Sequence, residues 1–193
     1  MHCISVGLGT VLAVALPALA SRTVQAAPIV YTETAIASGT LNGVPFSNSA
    51  LVLTYIGDTA NVSSLLPGLL QDANGVALFS VAGVGDGIFT GGLAMSLSNN
   101  ARGAGGFVAN TINPYQNSNS PNGQIGFAQG VILATYDPAV FTSYNLAATL
   151  GPVTGPAIFD EHASAGPVVF PTTAGNFSLT SAGDVTYTNG LLR

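Results

Sequence analysis

Along residues 29–41, IVYTETAIASGTL, apolar and polar side chains alternate with the two-residue period of a half-buried strand. That period puts Ile29, Tyr31, Ala35, Ala37 and Leu41 on one face, with Glu33 as the exception among them. Asn42-Gly43 follows, and Asn-Gly tolerates the positive φ that a type I′ hairpin turn requires. VPFSNSALVLTYI (44–56) is then the return strand, with Pro45 near its start, where a missing N–H is tolerated. The Gly-punctuated run 75–99 predicts two or three short strands, and further strands are predicted at 106–110, 124–129, 130–136, 176–181 and 184–189. Phe177 and Leu179 alternate with Asn176, Ser178 and Thr180, as Val185 and Tyr187 do with Thr186 and Thr188.

Helical spacing is scarce, because Gly or Pro interrupts nearly every window of a dozen residues. Single helical turns are expected at NVSSLLPGLL (61–70) and DPAVFTSYNL (137–146), the second with Asp137 as N-cap and Pro138 at the first helical position. Residues 110–123, rich in Asn with Pro and Gly, predict a long loop. Many short strands without alternating helices argue for an all-β fold, a single antiparallel β-sandwich of jelly-roll or Ig-like type over residues 27–193.

One apolar run does not fit that scheme. Ser5–Ala20 has the length of a secretory h-region and is slightly short for a comfortable membrane span. In the following SRTVQAAP, Val24 and Ala26 supply the small residues of a cleavage site, so residues 1–26 are read as a signal peptide, with a cut after Ala20 as the alternative. The remainder would be secreted, extracellular or envelope-associated, with no membrane span and no cysteine, since Cys3 leaves with the leader.

Charged residues make up only 6% of the chain, against about 25% in an average soluble domain. There is no Lys, and the three Arg are Arg22, Arg102 and Arg193. A basic face for nucleic acid is therefore excluded, since such binding rests on several cations neutralising phosphates.

The one cluster of ionisable side chains is IFDEHASAG (158–166), where Asp160, Glu161 and His162 stand in a row before Ser164. Adjacent acids on a strand point to opposite faces, no Gly-x-Ser-x-Gly elbow is present, and a solvated turn is the simpler role. No enzyme is expected. Calcium is the one ion the chain's oxygen ligands would suit, with Asp58, Asp86, Asp160 and Glu161 as candidates and Asp72 in a similar turn. The D-x-D-x-D spacing of a calcium loop is absent, and Asp in such turns has an ordinary structural role. For carbohydrate binding, Tyr115 and Tyr144 are the candidate exposed aromatics, since Tyr31, Tyr55 and Tyr187 fall within predicted strands. ALVLTYI (50–56) and GVILATY (130–136) contain no charged gatekeeper, which predicts self-association.

ASGTLNGVPFSNSALVLTYIGDTANV (37–62), SVAGVGDGIFT (80–90), SYNLAATLGPVTGPAIF (143–159) and FPTTAGNFSLTS (170–181) together resemble the β-rich ectodomains of bacterial secreted proteins of the PEP-CTERM, exosortase-sorted type. The resemblance implies an extracellular or envelope-associated location, an exopolysaccharide matrix as surroundings, and no particular activity. In that group a Pro-Glu-Pro signal, an apolar helix and a basic tail follow the ectodomain, whereas here VTYTNGLLR carries none of these. Free release and a sorting segment encoded beyond Arg193 both fit that difference. The expected function is a structural or matrix-interaction role, with a carbohydrate- or calcium-dependent binding module as the alternative.

Overall fold

The computed structural model describes residues 26–99, 103–109, 130–159 and 168–192. Within them the chain is nearly all β, in two antiparallel sheets. Strands β1 (Pro28–Leu41) and β2 (Val44–Asp58) form a long hairpin, closed at Asn42 (φ 51°) and Gly43 (φ 79°) as the type I′ reading requires. A bulge in β2 between Phe46 and Ser49, where Asn48 has φ 49°, shifts the alternation of that strand so that Phe46 joins Leu51, Leu53 and Tyr55 in the interior, while β1 alternates without a break to Leu41.

The larger sheet extends this hairpin on both sides. Beyond β2 come β5 (Val76–Val81) and β6 (Gly85–Ile88), and beyond β1 come β14 (Val185–Leu191) and β10 (Leu150–Gly155). Near the hairpin turn β1 pairs with β13 (Gly175–Ala182), which in turn carries β12 (Phe170–Thr172). The smaller sheet runs in the order β11 (Ala157–Ile158), β9 (Val131–Tyr136), β8 (Ala104–Ala109), β7 (Leu93–Ser98), β4 (Leu69–Asp72) and β3 (Ser63–Leu66).

The larger sheet closes back on itself at one margin and meets the smaller sheet at the other. Phe89 bridges to Thr172, and the Thr173 amide donates to the Ile88 carbonyl at 2.9 Å, so β6 is joined to β12. On the opposite margin the chain passes from β10 into β11 at Pro156, whose carbonyl accepts the Tyr136 amide at 3.1 Å. A β-carbon at Gly155 would overlap the Tyr136 carbonyl, so glycine is what allows this crossing.

Phe79, Phe89 and Phe177 pack in the interior near the β6–β12 join, with Phe79–Phe89 and Phe79–Phe177 centroids both 5.3 Å apart. Phe46 and Phe170 complete the cluster. Toward the other end the core is tyrosine-rich, with Tyr31, Tyr55 and Tyr187 all fully buried.

Three local outcomes differ from the sequence reading. Residues 61–70 are not helical: a single 3-10 turn, Thr59–Asn61, precedes the hairpin β3–β4, whose tip holds Gly68 at φ 80°. Leu65, Leu66, Leu69 and Leu70 have helical spacing, but Pro67-Gly68 makes the turn between strands. Strands β10, β11 and β12 were not anticipated. The segment 50–56 is an inner strand with neighbours on both sides, while 130–136 is paired along β8 and, among the described residues, on its outer side only at Ala134 and Thr135 by β11. The expected turn at 137–146 forms as α1 (Pro138–Phe141), its Asp137 carboxylate accepting the Ala139 amide at 3.0 Å. The predicted loop 110–123 and strand 124–129 lie outside the described residues.

Candidate functional site

The interior face of the larger sheet carries a cross-strand row, Val153–Tyr187–Glu33–Leu53–Phe79, read directly from the registers of β10, β14, β1, β2 and β5. Glu33 is the only acid in it, and it is fully buried. Its side chain reaches across to the smaller sheet, where the Thr135 hydroxyl of β9 donates to Oε1 at 3.2 Å. Among the described residues Oε2 has no hydrogen-bond partner. Desolvation pushes the Glu33 carboxyl well above the ordinary Glu range, and the opposing hydrogen bonds from the Thr135 side chain and backbone are weaker. Burial therefore favours the protonated, neutral form of Glu33.

Beside it lies a polar seam held by tyrosines. Tyr31 donates to the Leu146 carbonyl at 2.9 Å, Tyr144 to the Ala148 carbonyl at 3.1 Å, and Tyr187 to the Tyr144 hydroxyl at 3.3 Å. Asn189 donates to the Tyr144 hydroxyl and accepts the Leu150 amide, so it fastens the 142–149 loop to β14. Burial raises all three phenols, Tyr144 to about 12, which keeps each hydroxyl protonated as a donor. Tyr144 is thus a buried hub, which corrects the expectation that it is an exposed carbohydrate contact.

The outer face of the same sheet is built of threonine and aliphatic side chains. One row runs Thr154–Thr186–Thr34–Val52–Ser80–Asp86 and the next Thr188–Thr32–Thr54–Leu78–Ile88. Alternation forces both outward: Thr32 and Thr34 of β1, Val52 and Thr54 of β2, and Thr186 and Thr188 of β14 stand beside the buried Tyr31, Glu33, Leu53, Tyr55, Val185 and Tyr187 and face the other way. Ile56 and Val76 pair in a third row, and Val76 and Ile88 keep 49% and 42% of their surface exposed. Of all these residues only Asp86 is charged. A shallow depression of about 480 Å³ lies over Val52, Thr54, Ile56, Leu78 and Ile88.

The carboxylates proposed for calcium do not converge within the described residues. Asp58 caps the 3-10 turn by accepting the Ala60 amide at 2.8 Å. Asp86 stands on β6 opposite Ser80, which pairs with Val52, so it lies two strands over and six residues along from Asp58, roughly 20 Å away. Asp72 is fully buried and closes a turn, as described below. Asp160, Glu161, His162, Ser164 and Tyr115 lie outside the described residues. Among the described residues no three His, Cys, Asp or Glu side chains are grouped to hold a metal ion, and no helix is long and apolar enough to cross a membrane.

The feature that sequence reasoning missed is Glu33 as a buried group. Its position on the apolar face of β1 was the available sign, but its partner lies 102 residues away. Compared with known protein families, curated proteins and solved structures, the chain matches none.

Proposed function

We propose that the protein is an exported, non-enzymatic β-sandwich with a structural role in an extracellular matrix, acting through the outer face of its larger sheet on a neutral polysaccharide. The observation that carries this reading is the pair of threonine rows. A polymer laid across the strands meets a hydroxyl or a methyl on each strand, at about 4.8 Å intervals, on a face with one charge at its margin. Neutral glycans offer hydroxyls to match and no charge to be repelled or neutralised. A cut after Ala26 is compatible with the fold, since Ala27 is held by Thr59: its amide donates to Thr59 Oγ1 at 3.1 Å and its carbonyl accepts the Thr59 amide at 3.0 Å.

The test is co-sedimentation of the exported protein with insoluble neutral glucans at low and high salt. Binding should be insensitive to salt, because no ion pairs are involved. The double variant Thr32→Arg/Thr54→Arg should abolish it while leaving the circular dichroism spectrum unchanged. No binding to any neutral glucan, or binding that survives the double variant, would overturn the assignment.

A further inference from the structure

We infer that Glu33 and Thr135 are a self-modification site, at which the two side chains condense into an ester that ties β1 of the larger sheet to β9 of the smaller. The geometry is in place. Both residues are fully buried, and the Thr135 hydroxyl lies 3.2 Å from Glu33 Oε1. The surroundings are apolar: Leu53 and Tyr187 flank Glu33 in register, while Leu97 and Gly105 lie in register beside Thr135. A row of aliphatic and aromatic residues would accept Leu at position 33 without penalty, so the carboxyl calls for an explanation. A buried polar atom left without a partner costs free energy, and Oε2 is such an atom among the described residues.

Condensation removes that cost. The Thr135 Oγ attacks Cδ of the neutral acid, a C–O bond forms, the bond from Cδ to its hydroxyl breaks, and the threonine proton leaves with that hydroxyl as water. No oxidant, reductant or co-reactant is consumed. The protonated carboxyl, which burial favours, is the electrophilic form. Two groups fixed in contact behave as if present at an effective molarity of about 10⁵–10⁸ M, which sets the balance against hydrolysis once the released water has left a dry interior. The product has no donor to satisfy and only weak acceptors. It also joins residues 102 positions apart in a chain whose single cysteine, Cys3, precedes the expected cleavage site.

The test is the intact mass of the exported protein, purified from a secreting host and denatured before measurement, compared with the mass of the sequence from its sequenced N-terminus onward. The expected mass is lower than that of the sequence by one water, with the deficit mapped by tandem mass spectrometry to a branched pair of chymotryptic peptides containing Glu33 and Thr135. Hydroxylamine should open the branch, Thr135→Ser should keep it, and Thr135→Val and Glu33→Leu should each lack it. A wild-type mass equal to that of the sequence overturns the proposal, and this result does not depend on whether any variant folds. A deficit located at Asp86-Gly87, where succinimide formation loses the same water, overturns it equally.

Discussion

The Asp72 carboxylate accepts the backbone amide of Asp58 at 3.0 Å, and so fastens the end of β2, in the larger sheet, to the end of β4, in the smaller. Its other oxygen accepts the Asn74 amide at 3.2 Å, while the Tyr55 hydroxyl donates to the Asp72 carbonyl at 2.8 Å and accepts the Gly75 amide at 2.6 Å. The group is fully buried yet every contact satisfies a donor of the backbone or of Tyr55. Asp72→Ala leaves two part-buried amides without their acceptor, and the expected loss is about 1–3 kcal/mol. Asp86→Ala, on the exposed face, should change stability by less than about 0.5 kcal/mol. Urea denaturation of the two variants checks the contrast, and equal effects would contradict it.

Glu33 provides a pH signature. In Thr135→Val it has no hydroxyl to condense with and stays a free acid whose folded pKa is raised by burial. Between the unfolded value, near 4.3, and the raised folded value, the folded chain holds one proton more than the unfolded chain. Its contribution to stability is therefore fully present below the ordinary Glu range and falls by about 1.4 kcal/mol per pH unit as pH rises toward the folded value. Urea midpoints measured from about pH 4 to about pH 8 should decline in Thr135→Val and lack that decline in Thr135→Val/Glu33→Leu. A flat profile in both would show that the carboxyl is hydrated.

Two glycines separate space from backbone conformation. A β-carbon at Gly39 would overlap the Ser178 carbonyl oxygen on the neighbouring strand, a backbone atom with nowhere to go. Gly39→Ala should cost at least about 3 kcal/mol, the upper end of overpacking effects. At Gly43 nothing lies within 4 Å, but φ is +79°, so Gly43→Ala should cost about 1–2 kcal/mol through strain alone. Thermal unfolding that ranks the two in the reverse order would be inconsistent with the β1–β13 register.

The Tyr144 hydroxyl collects Tyr187 and Asn189 while serving the 142–149 loop. Tyr144→Phe keeps the ring against Phe141, at a centroid distance of 6.3 Å, and removes only that junction. A loss of about 1–3 kcal/mol is expected, with faster amide exchange at Leu150, whose amide donates to Asn189.

These features differ in how far the sequence announces them. The β1–β2 hairpin, the alternation of β14 and the start of α1 rest on neighbours in the chain: Asn42-Gly43, the Val185/Tyr187 period and Asp137-Pro138 each carry their own local signal. β3–β4 misleads because its leucines have helical spacing and only Pro67-Gly68 says otherwise. β10 is hidden by Gly151, Pro152 and Gly155, which depress strand propensity at a margin where Pro is tolerated and Gly is required. Glu33 and Asp72 read locally as an interruption and a turn former. Their roles depend on groups brought close by the pairing of whole sheets, which no local period encodes.

That pairing also relocates the risk of self-association. Residues 50–56 have neighbours on both sides in the folded state, β11 covers Ala134 and Thr135 of β9, and the β6 margin is joined to β12. β3 ends the smaller sheet, and among the described residues no strand pairs with its outer edge. Its sequence, SSLL, carries no charge, and Leu65 keeps 38% of its surface exposed. An uncharged edge strand with an exposed leucine is a template for pairing with a second copy, and a lysine there discourages such contacts. Light scattering at high protein concentration should show association of the wild-type protein that Leu65→Lys reduces. Val52→Lys, on an inner strand, should leave the association intact if it proceeds through the β3 edge and reduce it if the sheet faces stack instead.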